Sequence, residues 1–331
     1  MDRPVESQRP GSPPRASIVI PVWNEEGNLP ALYERLAPVL DEIGKGGDRG
    51  DVEAILVDDG SSDRSLPLLR DIAARDPRIK VISFNRNYGQ HAAVMAGFEA
   101  SRGKTVITLD ADLQNLPEDI PKLLEKAEEG FDVVGGWRSQ RKDTAFRRFA
   151  SRQVNRVMRR ILKGVEFKDY GCMLRAYSRP VVDSVNRCPE RSPFIPALAV
   201  QFARRIAEVP VGHADRAAGE SKYSLWKLFK LQADLITGFT SGPLRFATFT
   251  GSAISLFSIG FGIFLGIRRL LYGPEAQGLF TLFAILFFLV GANFFALGIL
   301  GEYVGRIFAE VRQRPRSVVA ETINFGQGTR P

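Results

Sequence analysis

Apolar and polar positions alternate in blocks from residue 17 onward. Ser17-Ile18-Val19-Ile20-Pro21-Val22 is short and nearly continuous in apolar residues, the pattern of a strand covered on both faces. Leu29 to Leu40 then repeats apolar residues at helical spacing. The same two patterns recur, predicting strands at 52–57, 81–84, 105–109 and 132–134 and helices at 65–74, 92–100 and 117–129. Strand and helix in turn predict an α/β domain over residues 17–215, a mostly parallel sheet with helices on both faces.

Further along, the pattern changes. Phe246 to Ile267 and Ala276 to Gly301 are 22 and 26 residues without a charge, each long enough to cross a bilayer as a helix. Glycines recur in both, as in packed membrane helices. The link between them carries Gly273-Pro274. The expectation is a two-helix transmembrane hairpin over 243–303. Lys222, Lys227, Lys230 and Arg245 precede it and Arg306, Arg312, Arg314 and Arg316 follow, which predicts both ends on the cytoplasmic side. Between 216 and 242, Leu225, Leu228, Phe229, Leu235, Ile236 and Phe239 form an apolar stripe. It predicts a mobile loop running into an interfacial amphipathic helix. Residues 1–16 hold four prolines and no apolar core, and read as a disordered basic tail; 304–331 reads as a basic cytoplasmic tail.

A formal charge of +8 fits nucleic acid, an anionic membrane or phosphorylated substrates. With membrane spans present and no aromatic-basic module, nucleic acid is excluded. Cys172 and Cys188 have neither a disulfide framework nor metal spacing.

The candidate chemistry sits where predicted strands end, the edge at which such sheets bind ligands. Asp110 and Asp112 stand at i and i+2 after the fourth strand, with Gln114 continuing the alternation. Three oxygen donors suit Mg²⁺ or Mn²⁺ rather than zinc, and such an ion keeps positions for phosphate oxygens. That combination points to a nucleoside diphosphate. Asp58 and Asp59 close the second strand, where an acid can accept from a ribose or base. Trp23 offers a ring for stacking, with Asn24 and Glu25 beside it. Ser61, Ser62 and Asp63 serve equally as a helix cap. From Arg138 to Lys163 there are ten Lys/Arg and one acid, over an apolar helical stripe. This is a basic amphipathic helix suited to a membrane surface or a lipid phosphate. His91 and His213 have no partner at metal spacing and receive no role.

Ile20–Glu25, Val57–Asp63 and Leu109–Gln114 resemble the motifs of GT-A family 2 glycosyltransferases, and within them the polyisoprenyl-phosphate glycosyltransferases. Asn85–His91, Asp169–Tyr177, Glu190–Pro196 and Gly219–Ser224 are similar to the branch that moves 4-deoxy-4-formamido-L-arabinose to undecaprenyl phosphate for lipid A modification. Trp23 departs from the Tyr of many relatives but stays aromatic. The resemblance implies a GT-A, Rossmann-like fold and inverting transfer from a UDP-sugar in the bacterial inner membrane, with a homo-oligomer, a tetramer, as the assembly. It implies that Pro21, Asn24, Glu25 and Asp59 contact the nucleotide and that Asp110, Asp112 and Gln114 surround the metal. It also places Arg175 toward phosphate at the reaction centre, and Arg148, Arg152 or Lys222 on the lipid phosphate. UDP-glucose or another UDP-hexose is the alternative donor. A processive synthase is excluded, because Gln201-Phe202-Ala203-Arg204-Arg205 lacks the Trp of that group's motif.

Overall fold

A computed structural model describes residues 13–44, 52–138, 169, 171–188, 195–214, 242–272, 279–311 and 315–325. The chain forms β1 (Ala16–Val22), α1 (Leu29–Gly44), β2 (Val52–Asp58), α2 (Ser65–Arg75), β3 (Ile79–Phe84), α3 (Gln90–Ala100) and β4 (Thr105–Thr108). A 3₁₀ turn at Pro117–Asp119 leads into α4 (Ile120–Glu128) and β5 (Val133–Arg138). Then come β6 (Arg175–Ser178), α5 (Arg179–Arg187), α6 (Ile195–Phe202), β7 (Ile206–Val211), α7 (Gly242–Tyr272), α8 (Leu279–Val311) and β8 (Val319–Ile323).

The eight strands make one sheet in the order β7-β5-β6-β4-β1-β2-β3-β8. β4, β1, β2 and β3 run parallel; β6 is antiparallel to both β4 and β5, and β7 is parallel to β5. Six strands therefore share one direction, and their carboxyl ends share one edge.

The continuous apolar runs are explained by two cores. Ile18, Ile20, Val22, Ala54, Leu56 and Val81 face α1, α2 and α4, while Ile55, Val57, Ile82 and Phe84 face α3. Alternate residues on each strand serve opposite faces, so both sets of positions are mostly apolar. α3 presses on β1 so closely that a Cβ on Gly97 would lie 2.3 Å from Val19 Cγ1.

Pro21 lies within β1 opposite Val57. Val22 O accepts from Asp59 N on the β2 side and Val19 O from Leu109 N on the β4 side. Pro21 thus faces the β4 side, beyond the last pair, Val19–Thr108. Its missing N–H removes no ladder bond.

Both termini differ from expectation. The N-terminal tail gives way to structure before residue 16: Arg15 Nε and Nη2 donate to Glu128 Oε1 and Oε2 at 2.6 and 2.8 Å, and its backbone O accepts from Thr105 N. The segment read as a C-terminal tail begins inside α8 and contains β8, antiparallel on β3. A bulge at Ser83/Phe84 turns Val319 toward the α3 core while Ile323 packs on the α1 core. Asn324 then donates through Nδ2 to Ala73 O and Ile79 O, both at 2.8 Å, and Arg70 pairs with Glu321 at 2.5 Å. Neither periodicity nor charge marks so short an edge strand among basic residues.

Residues 223–313 form a second compact unit, in which α7 and α8 contact one another. Both expose large apolar side chains, among them Phe249, Leu256, Phe257, Phe287, Phe288 and Phe294. Two spans were expected. Among the described residues one segment, Ile285–Gly305 (21 residues, mean hydropathy 1.9), is long and apolar enough to cross a membrane. Thr248, Thr250, Ser252, Ser255, Ser258 and several glycines dilute α7. The expected interfacial helix at 222–241 and the basic helix at 138–163 lie outside the described residues, apart from Arg138.

The α3–β1 contact supplies a stability test. Gly97→Ala forces its methyl into Val19 and is expected to destabilise the α/β unit by about 1–3 kcal/mol, read as a lower melting midpoint of the purified protein. An unchanged midpoint would show that the helix can lift without loss.

Candidate active site

Because the parallel strands end together, the loops after β1, β2, β3 and β4 and the residues described after β7 meet at one edge with the end of β5, joined there by the residues entering β6. The loops after β1 and β2 are laced by hydrogen bonds. Asn24, in the left-handed region at φ 54°, donates its N–H to Ser61 Oγ at 3.0 Å and accepts from Ser62 N at 2.8 Å. Glu25 N donates to Ser65 Oγ at 2.9 Å and Glu26 N to Asp63 Oδ2 at 3.2 Å. Asp63 also accepts from Ser65 N at 2.9 Å, but the N-cap of α2 is Arg64, which makes no side-chain cap bond, so Asp63 closes a turn before the helix rather than capping it. At the mouth Trp23 is 53% exposed, its ring open to a planar ligand.

Asp58 and Asp59, expected to meet the nucleotide, are instead turned inward, each 1% exposed. Asp58 accepts from Ser61 N at 3.1 Å and Ser83 Oγ at 2.8 Å. Asp59 accepts from Tyr88 N at 2.6 Å and Gly89 N at 2.8 Å, fixing the loop that opens α3. Burial raises the Asp59 pKa and the Asp58 charge adds to it, so the two N–H bonds offset only part. The turn between them requires Gly60: φ is +65°, and a Cβ would lie 2.3 Å from the Arg86 carbonyl carbon. Pro21 is likewise buried in β1, where it shapes the strand end rather than presenting a face to ligand.

Asp110 and Asp112 follow β4. Asp110 Oδ1 accepts from Gln90 Nε2 at 2.7 Å. Leu113 takes a positive φ of 60°, a conformation that costs a non-glycine residue about 1–2 kcal/mol. The turn aims the Gln114 backbone N and side-chain Nε2 at Asp112, at 3.1 and 2.8 Å. Gln114 therefore orients Asp112 through its amide nitrogen, which leaves its side-chain oxygen as the third oxygen of the set. The Asp110 pKa is pushed up to about 7 by burial first, then by the Asp112 charge, with Glu25 adding to it and Gln90 and Arg138 opposing. Two carboxylates set so close that the charge of Asp112 raises the pKa of Asp110 fit a hard divalent cation. Among the described residues no group of three or more His, Cys, Asp or Glu has metal-binding geometry. An ion there would draw on the two carboxylates, the Gln114 amide oxygen and ligand oxygens, the donor set of Mg²⁺ or Mn²⁺.

Arg175 departs most from expectation. Its side chain is 0% exposed and donates through Nε to Cys172 O at 2.9 Å and Nη2 to Asp169 O at 2.8 Å. It braces the loop before β6 rather than facing a phosphate. Arg138, the last residue of β5, ends at the same sheet edge, and its charge lowers the Asp110 pKa. Its Nε and Nη2 donate to Asp169 Oδ2 and Oδ1 at 2.6 and 3.1 Å. Cys172, buried in the same loop, has its thiol pKa pushed up to about 11 by burial, an inert side chain at neutral pH. His213, given no role from sequence, borders the acid loop: Gly212 N donates to Asp119 Oδ2 at 2.7 Å and Ala214 N to Gln114 O at 3.1 Å. Gln90 and Arg138 stood within stretches already singled out, but nothing in their spacing set them apart. Arg148, Arg152 and Lys222 lie outside the described residues.

Known proteins resemble this chain in both sequence and fold. The sequence profile of Glycosyl transferase family 2 matches residues 17–185. The chain is 50% identical over 317 residues to the undecaprenyl-phosphate 4-deoxy-4-formamido-L-arabinose transferase of Shewanella sediminis, covering 95% of this chain and 94% of that one. Its Klebsiella pneumoniae counterpart is 48% identical over 312 residues, 93% and 94% of the two chains. Among solved structures, glucosyl-3-phosphoglycerate synthase from Mycobacterium tuberculosis with phosphoglyceric acid shares the fold, with a TM-score of 0.51 and 22% identity over 69% of this chain and 79% of that one. With its family profile spanning all the strands from β1 to β6, and half its residues shared end to end with such relatives, the chain belongs to glycosyl transferase family 2.

Proposed function

We propose that this glycosyltransferase moves 4-deoxy-4-formamido-L-arabinose from its UDP donor to undecaprenyl phosphate, with inversion at the anomeric carbon. It works at the cytoplasmic face of a bacterial inner membrane, as a step of the lipid A modification that gives polymyxin resistance. The observation that carries this reading is 48–50% identity along 93–95% of the chain to transferases named for that reaction.

The acceptor decides what the protein must do. A phosphate monoester, with a second pKa near 6, is already mostly dianionic at pH 7 and needs no general base. Catalysis then rests on alignment and on stabilising the departing diphosphate. Asp110 and Asp112, with the Gln114 oxygen, would hold Mg²⁺ or Mn²⁺, which supplies that charge stabilisation. Trp23 stacks on the uracil, and Asn24 and Glu25 contact the nucleotide. Asp58 and Asp59 hold the loops that shape its site. Arg138 takes an anionic oxygen beside Asp110. Arg148, Arg152 and Lys222 are assigned to the lipid phosphate by resemblance alone, as is assembly into a homo-oligomer.

Chain continuity supports a two-span hairpin. β8 pairs with β3 in one sheet, so the chain must leave and re-enter that sheet on the same side of the bilayer. A single crossing by α8 would strand β8 on the far side, and α7 is the matching second crossing.

Three measurements follow. Membranes holding the enzyme, given undecaprenyl phosphate and a panel of UDP-sugars, should form product from UDP-4-deoxy-4-formamido-L-arabinose; product from UDP-glucose alone would sink the assignment. Mn²⁺ affinity in the presence of UDP should fall about tenfold per pH unit below 7 and level off above it, because a proton on Asp110 competes with the ion. Asp110→Asn should flatten that slope as well as weaken binding, and a slope that survives points to another group. For topology, Ala276→Cys should react with an impermeant maleimide in intact cells and Thr329→Cys only after lysis. Equal labelling of both would rule out the hairpin.

A further inference from the structure

A cleft of about 350 Å³ opens between α3, the end of α5 and the segment that leads into β8. Glu99, on its rim, lies nine residues along α3 from Gln90, about 14 Å by helical rise, so the cleft is separate from the Asp110–Asp112 pair. Its polar lining is Glu99, Asn186, Arg187, Arg316 and Ser317.

The charges in this cleft are only partly matched. Arg316, its side chain 19% exposed, donates through Nη2 to Cys188 O and reaches to within 3.6 Å of Glu99 Oε1 through Nη1. The first contact closes the carbonyl end of α5. The second is too long for a hydrogen bond, and the Glu99 side chain stays 44% exposed. Arg187, in the last turn of α5, is exposed and has no ion-pair partner among the described residues. Asn186 Oδ1 is buried without a hydrogen-bond partner. A simple anion would answer the two guanidiniums and leave the carboxylate and the amide oxygen without a donor. A molecule that carries both a phosphate and a primary ammonium answers all four.

Chain length limits where such a molecule comes from. The apolar segment of α8 ends at Gly305, α8 runs on to Val311, and Arg316 is five residues further. Six helical and five extended residues reach at most about 27 Å. Arg306, Arg312, Arg314 and Arg316 crowd that stretch with positive charge, which draws it to a lipid surface.

We propose that the cleft binds the headgroup of an ethanolamine phospholipid, with its phosphodiester between Arg187 and Arg316 and its ammonium on Glu99 and Asn186 Oδ1. The bound lipid ties the segment that follows α8 to α3 and α5. The proposal depends on membrane anchoring and not on which sugar is transferred.

The test uses the full-length enzyme in detergent, with dioctanoyl phosphatidylethanolamine as the probe and dioctanoyl phosphatidylcholine as its control. The two have the same net charge, but the trimethylated headgroup has no N–H to donate. Native mass spectrometry should show the ethanolamine lipid binding about tenfold more tightly, the worth of one hydrogen bond to a charged group. Glu99→Gln should cut that preference to about twofold, and Arg187→Gln should weaken both lipids alike by about tenfold, since both keep the phosphodiester. Both side chains are exposed, and an unchanged melting midpoint without lipid shows that each variant folds. Equal binding of the two lipids to the wild type, an undiminished preference in Glu99→Gln, or full binding by Arg187→Gln overturns the proposal. So does tighter binding of dioctanoyl phosphatidylglycerol, which would mark a surface that reads negative charge alone. Glycerophosphoethanolamine, the same headgroup without acyl chains, should not displace the lipid at equal concentration; displacement would assign the cleft to a soluble phosphoester and overturn the lipid source. Binding needs no sugar donor, so a wild-type enzyme inactive with UDP-4-deoxy-4-formamido-L-arabinose would remove the functional reading and leave this one standing.

Discussion

Six strands pointing one way bring their carboxyl ends to one edge, and the acids described at that edge must find their partners there. The sheet direction comes from hydrophobic pattern and crossover handedness, not from the site. Its consequence is electrostatic. Glu25, Asp58, Asp59, Asp110 and Asp112 all arrive at the same rim, and the charge of a neighbouring acid helps raise the pKa of Asp59 and of Asp110. Each is handled differently, and the differences divide scaffold from chemistry.

Asp58 and Asp59 turn inward and give their oxygens to N–H and hydroxyl donors of neighbouring loops. They are the rivets that let β1, β2 and β3 present one continuous surface. Asp169 takes an arginine. Asp110 and Asp112 receive amide donors from Gln90 and Gln114, which orient them without cancelling their charge. A rim that commits Asp58, Asp59 and Asp169 to holding loops keeps Asp110 and Asp112 together at the end of β4, where the proposed cation would sit.

Much of this was legible in the chain. The continuous runs of β1 to β5 and the helical spacing of α1 to α4 follow from a sheet buried on both faces. The acid clusters fall at strand ends because only there does the backbone meet solvent. Illegible was anything set by partners distant in sequence. Asp58 and Asp110 look alike on paper; Ser83 and Gln90 make one a turn-builder and the other a site acid. Arg175 opens a four-residue strand with no apolar run to announce it, and its burial depends on Thr108 and Gly135 to either side. β7 carries a glutamate and a proline that mask its period, and β8 hides behind two long helices in a stretch rich in arginine.

The place of β8 in the chain sets a schedule. Val319 comes 235 positions after Phe84, the residue it pairs with, and both long helices lie between them. During synthesis at about 5–20 residues per second, the β3 edge stands uncovered for roughly 10–50 s. Exposed strand edges recruit other chains. The last strand reaches its seat only after α8 has left the ribosome, so the catalytic sheet is sealed by the segment that follows membrane insertion. The order of segments along the chain thus leaves one edge of the sheet open until both long helices have been made.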